Sequence, residues 1–210
     1  MRQDNTKLNE RLENIAQHIP LLGGRLCLDF TNTMEYRGTD RQIDVLPTFT
    51  ALIRWCEHAG VIPQGTGQAF MTEAGTSAAI NTFEQMRSLR DMIFQIFVSR
   101  AQEQPIPAET LQTFNFSLEQ VLAHRYITIG PDGPTWTWRS SNIPDQVLWP
   151  IAYSAAELLT SPELNRVRQC GGCGWLFLDE SRNGNRTWCD MRFCGNRAKA
   201  RRHYERSKQL

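Results

Sequence analysis

No stretch of this 210-residue chain stays apolar for long enough to cross a bilayer, because acidic, basic or polar residues interrupt every candidate run. The opening segment, MRQDNTKLNERLENIAQHIP, is too polar for a secretory signal, so a cytoplasmic protein is expected. Internal repeats and low-complexity tracts are absent as well. Histidine is scarce: His18, His58, His124 and His203 lie far apart, and none has a Cys or Ser elbow near it. No Gly-rich phosphate loop follows a strand-like segment, and no pair of carboxylates is set for acid–base work. These gaps argue against an enzyme.

Cysteine is also sparse over most of the chain. Cys27 and Cys56 stand alone in apolar stretches, where a free thiol behaves as a small hydrophobe. The other four are crowded into the last fifth: Cys170, Cys173, Cys189 and Cys194 form C-x2-C-x15-C-x4-C. Thiolates are natural partners of Zn²⁺, and four of them close a tetrahedral coordination sphere, which leaves no open position for catalysis. Structural Zn²⁺ is therefore the expected cofactor. Gly residues around the first Cys pair permit a tight turn, and Trp175, Phe177 and Trp188 can pack over the site.

The net charge of +1 conceals a segregation. From Arg166 to Leu210 there are 11 Lys or Arg against 4 Asp or Glu, whereas Met1 to Asn165 carries 12 against 18. A basic end of this kind suggests nucleic acid as a partner, with DNA first. Attraction between the acidic and basic parts themselves is the rival explanation.

Hydrophobic periodicity organises the first 165 residues. Helical spacing predicts helices over Asp4–His18, Pro47–Ala59, Ser77–Glu103, Ala108–His124 and Asp145–Leu159, with Pro150 kinking or starting the last. Leu26, Leu28 and Phe30 alternate with Cys27 and Asp29, which reads as a strand. Tyr126 to Arg139 reads as a hairpin around Gly-Pro-Asp-Gly-Pro. Asn183-Gly184 signals a second hairpin between Leu178 and Thr187. The expected fold class is α+β: a mostly helical N-terminal domain (1–165) with a small antiparallel sheet, then a zinc finger (166–210). Knuckle, hairpin and a ligand-bearing terminal helix make that finger treble-clef-like.

The tail resembles the CGNR zinc-finger family, named for the tetrapeptide present here as Cys194-Gly195-Asn196-Arg197. Cys173-Gly174-Trp175, Phe177-Leu178-Asp179, Ser181-Arg182, Trp188-Cys189 and Ala198-Lys199 match its flanking pattern. Upstream, Leu26-Cys27-Leu28-Asp29-Phe30 with Asn32-Thr33 looks like the N-terminal domain usually joined to that finger, described as belonging to a stress-induced transcription regulator. The resemblance implies a bacterial regulator with a zinc-stabilised DNA-binding end. A terminal helix of roughly 13 residues would be about 20 Å long, enough to cross a groove. Its DNA-contacting candidates are Asn196, Arg197, Lys199, Arg201, Arg202 and Arg206. A regulator needs a sensor, and Asp29, Asn32, Trp136 and Trp138 are candidates to line a site for a small-molecule effector. Dimerisation is a reasonable expectation, since two small fingers bind more tightly than one. The competing reading is a zinc-stabilised protein–protein interaction module that binds no DNA.

Overall fold

The longest periodic segment becomes the central helix of the molecule, α5 (Ser77–Ala101). Thr76 caps it, its side chain accepting from the Ala79 N–H at 3.2 Å. Met86, Leu89, Ile93 and Ile96 are buried at the predicted spacing, but Ile80 is 52% exposed, the first turn burying Ala79 instead. The computed structural model describes residues 2–139 and 143–208, apart from the side chains of residues 2–6, 202 and 203.

Other helices surround α5. In α3 (Phe49–His58), the residues Phe49, Leu52, Ile53 and Cys56 are buried, and Thr48 accepts from Ala51 N–H at 3.0 Å to start the helix. Helix α1 (Arg2–Ala16) lies along α3, burying Ala16 while Leu8 and Ile15 stay largely outside. The short α4 (Gly67–Met71) also leans on α3. On another side, α6 (Ala108–Leu122) and α7 (Trp149–Leu159) pack on α5 and on each other. Pro150 sits in the first turn of α7, where its missing N–H costs nothing; a 3-10 turn over Pro144–Leu148 leads into it.

The strand reading of Leu26–Phe30 is corrected: Leu26–Thr31 is helix α2. Cys27, Leu28, Phe30 and Thr31 are all buried, so this short helix is enclosed on several sides and shows no single apolar stripe. Strict alternation over five residues cannot separate such a segment from a strand. A close approach upstream sets its start, since a Cβ on Gly23 would stand 2.7 Å from the Asp29 backbone nitrogen.

Three two-stranded antiparallel sheets complete the described fold. Strands β1 (Met34–Glu35) and β2 (Ile43–Asp44) close a loop that carries Tyr36 and Arg41. Under that loop the buried Arg90 of α5 donates two hydrogen bonds to the Asp44 carboxylate (2.8 and 2.6 Å) and a third to the Thr33 hydroxyl at 3.0 Å. The expected hairpin is present as β3 (Arg125–Gly130) and β4 (Gly133–Trp138), with Gly130 facing Gly133 across the turn.

The third pair, β5 (Val167–Gln169) and β6 (Leu176–Leu178), belongs to the cysteine-rich end and flanks the first Cys pair. This corrects the hairpin expected around Asn183-Gly184: that dipeptide turns, with Gly184 at φ +60, but no strands flank it. Val167, Leu176, Phe177 and Leu178 are buried in one core with α2 and α5. Backbone bonding extends across the junction too, Leu178 N–H donating to Gly23 C=O at 2.8 Å.

Candidate metal centre and nucleic-acid interface

The turn between β5 and β6 presents Cys170 and Cys173, and the Gly171-Gly172 backbone runs close beneath the other ligands. A Cβ on Gly172 would lie 3.3 Å from Cys194 Cβ and 3.4 Å from the Trp188 ring. Gly174 N–H donates to Cys170 C=O at 2.9 Å and Gly171 N–H to Thr187 C=O at 3.1 Å, which joins the knuckle to the segment bearing Cys189. Trp188 covers the two glycines, and Trp175 and Phe177 are buried behind the site as expected.

Cys194 arrives on a widened π-helical turn, Met191–Gly195, that feeds into α8 (Asn196–Ser207). Asp190 starts this turn, its carboxylate accepting from Arg192 and Phe193 N–H at 2.5 and 3.3 Å. The Arg192 guanidinium, 3.2 Å from the other carboxylate oxygen, and then these N–H donors hold its carboxyl below the ordinary aspartate range despite some desolvation. The irregular loop before it is built on Asp179, fully buried, which accepts from Ser181 and Arg186 N–H at 2.9 and 2.8 Å. Burial works against this charge, yet the donors from Ser181 and Arg186 leave its carboxyl lowered.

The four sulfurs all lie within 4.8 Å of one another, with Cys173–Cys189 at 3.7 Å and Cys189–Cys194 at 3.8 Å. A Zn–S bond of about 2.3 Å gives a regular tetrahedron an S···S edge of about 3.8 Å. A disulfide requires about 2.05 Å, so these are free thiols in metal-binding array. The thiols bear on one another: Cys170 is driven down by S–H donation from Cys173 and Cys189, while Cys173 and Cys189 are driven up chiefly by Cys170. Metal ligation requires the cysteines as thiolates, and a bound cation stabilises that form. The residues fit Zn²⁺.

Arg197 supplies part of that stabilisation. Its Nη2 donates to Cys194 Sγ at 3.4 Å and its Nη1 to the Tyr36 hydroxyl at 3.1 Å, so the guanidinium joins the cluster to the β1–β2 loop. Tyr36 and Cys194 raise the pKa of Arg197 further.

Residues 24–162 match the model of a family, ABATE, described as "Putative stress-induced transcription regulator". The chain belongs to this family. Residues 166–207 match the CGNR zinc finger, in the order expected. The four-cysteine cluster of the CGNR finger is thereby a zinc site by its family as well as by its sulfur geometry. No curated protein matches the chain. No helix among the described residues is long and apolar enough to cross a membrane.

Between the ABATE part and the CGNR finger lies a groove of about 560 Å³. Arg41 and Tyr36 form one wall, Arg197, Ala198, Arg201 and Glu205 of α8 the other, and Gly171, Gly172 and Trp188 the floor. Arg41 stacks on Tyr36 at 4.2 Å, and Arg201 pairs with Glu205 at 2.9 Å in an exposed i,i+4 contact worth little. Lys199 and Arg206 are exposed elsewhere on α8, and the exposed Asn196 uses its amide to donate to Arg192 C=O at 3.2 Å. The side chain of Arg202 lies outside the described residues. Tyr36 and Arg41 escaped sequence reasoning because a lone Tyr and Arg in a polar loop carry no motif.

The four effector candidates occupy two different interfaces. Asn32, buried, donates to Leu176 C=O at 2.9 Å and accepts from Leu176 N–H at 2.8 Å, which clamps α2 to the finger. Asp29 accepts from Gly23 N–H at 2.7 Å, and burial pushes its carboxyl up to about 6. Trp138 instead packs against Trp149 and Tyr153 of α7, and Arg125 lies over the rings of Trp136, Trp138 and Tyr153.

Proposed function

We propose that the chain is a zinc-dependent, DNA-binding transcription regulator of the stress-response type, not an enzyme, and that the groove beside the zinc site receives a nucleic-acid backbone. The observation that carries this reading is the convergence of Arg41, Arg197 and Arg201 on one groove with Glu205 as the acidic lining residue. Phosphates favour such a lining, because each contact releases condensed counterions. Lys199 and Arg206 extend the positive surface along α8, within reach of further phosphates. Zinc fixes the position of α8 relative to Tyr36 and Arg41, so metal and DNA affinity are linked.

Fluorescence anisotropy with duplex DNA at several salt concentrations tests this. With roughly six phosphates neutralised, log affinity falls against log salt with a slope near −5, and Arg41→Ala or Arg201→Ala each reduces its magnitude by about 0.9. A salt-insensitive association, or none, favours the protein–protein module.

A further inference from the structure

A second cleft, remote from the zinc site, lies where α5, α6 and the start of α7 meet. It encloses about 440 Å³, within the usual range for small-molecule sites. Its floor is apolar, with the buried Leu89, Leu148 and Trp149. His124 stacks flat on the Trp149 indole, ring centroids 3.9 Å apart and planes 5° apart. Amide and hydroxyl side chains, Gln120 and Ser88 among them, stand around the apolar floor.

The unusual group is Asp145. It is half-buried in the wall, and its Oδ1 is fully buried with no hydrogen-bond partner among the described residues. Native structures rarely leave a buried carboxylate oxygen without a donor. Desolvation raises its pKa, with His124 and the Trp149 side chain offsetting part of the rise. No Lys or Arg lines the cleft to neutralise it. A carboxylate accepts only, so the ligand chemistry that completes this wall is a donor, and a cationic donor also answers the charge.

We propose that this cleft binds a small organic cation, an amine with an aromatic or aliphatic body, whose N–H donates to the Asp145 carboxylate while the body lies on Leu89, Leu148 and the Trp149 ring. The apolar floor accounts for affinity, and Asp145 selects the amine over neutral and anionic ligands of the same shape. The site stands apart from the nucleic-acid reading, since its occupation is measured without DNA.

The test is calorimetric titration of the full zinc-loaded chain, with Trp fluorescence as a second readout of contact at Trp149. Probes are 2-phenylethylamine, the isosteric neutral 2-phenylethanol and the anionic 3-phenylpropanoate. A ligand of this size binds with Kd of about 1 mM. The amine is expected to bind at one site per chain, at least tenfold tighter than either control. Asp145→Asn, which keeps the shape of the side chain, should lower amine affinity to that of the alcohol. Ser88→Phe, placed at an exposed position on the cleft, should block all three probes without touching the core. Equal binding of the three probes, no amine binding, or unchanged amine affinity in Asp145→Asn would overturn the proposal. So would unchanged binding in Ser88→Phe, which also serves if Asp145→Asn fails to fold.

Discussion

Asp29 and Asn32 stand three residues apart around one short helix and solve opposite problems. Asn32 is neutral and fully engaged, its amide closing a two-bond ring with the Leu176 backbone. Asp29 has one good donor, the Gly23 N–H, but too little to offset the loss of water around its charge. Because its folded pKa, about 6, exceeds the unfolded value, the folded state binds the proton more tightly. Its contribution to stability is therefore present below about pH 4 and lost as pH rises through 6. Asp29→Asn keeps an acceptor for Gly23 N–H and removes the desolvated charge. The variant should be more stable at pH 7 by about 1–2 kcal/mol, after allowance for solvent screening, and equal to the parent near pH 4. Urea melts across that range check this; a constant offset at every pH would show that the charge is not the cause.

At the scale of elements, the CGNR finger is made of two parts with different supports. Strands β5 and β6 are only three residues each, yet Val167, Leu176, Phe177 and Leu178 are buried against α2 and α5. The following loop, the π-helical turn and α8 rest on Asp179, Asp190 and the metal, with little apolar burial of their own. Helix α8 has four Arg and one Lys against one Glu and is highly exposed, so it has few tertiary contacts to hold it when the Cys194 end is released. Chelation should accordingly raise amide exchange over residues 186–208 by tenfold or more and leave residues 167–169 and 176–178 protected. Hydrogen-exchange mass spectrometry with and without chelator measures this. Equal loss of protection across both parts would refute the division.

For the whole molecule, the ABATE and CGNR matches end and begin within four residues of each other, but the cores do not divide there. Leu178 N–H reaches Gly23, Asn32 closes on Leu176, and Arg197 reaches Tyr36. Removal of the finger uncovers the apolar faces of α2 and α5 and leaves the Asn32 amide unpaired. A chain ending at Asn165 should lose several kcal/mol, about 2–3 from each large apolar side chain newly exposed, and associate through the bared surface. Thermal melts and light scattering against the full chain test this; unchanged melting would mean that the two halves are independent. The proposed DNA groove belongs to this scale as well, since each half contributes one wall.

Much could be read from residue types and spacing alone. The cysteine spacing identified the four ligands, because coordination chemistry demands thiolates in local pairs whatever the fold around them. The helices α3, α5, α6 and α7 followed from a 3.6-residue period, and the β3–β4 hairpin from its turn residues, since those signals are local. Tertiary structure decided the rest. Only packing on several sides made Leu26–Thr31 a helix, and only the docking of β5–β6 turned Asn32 into a clamp. The nearness of Arg41 to Arg201, and of His124 to Asp145, depends on where whole elements lie. A sequence pattern registers the preferences of neighbours along the chain, whereas these sites arise between residues separated by tens of positions and brought together by burial of a common core.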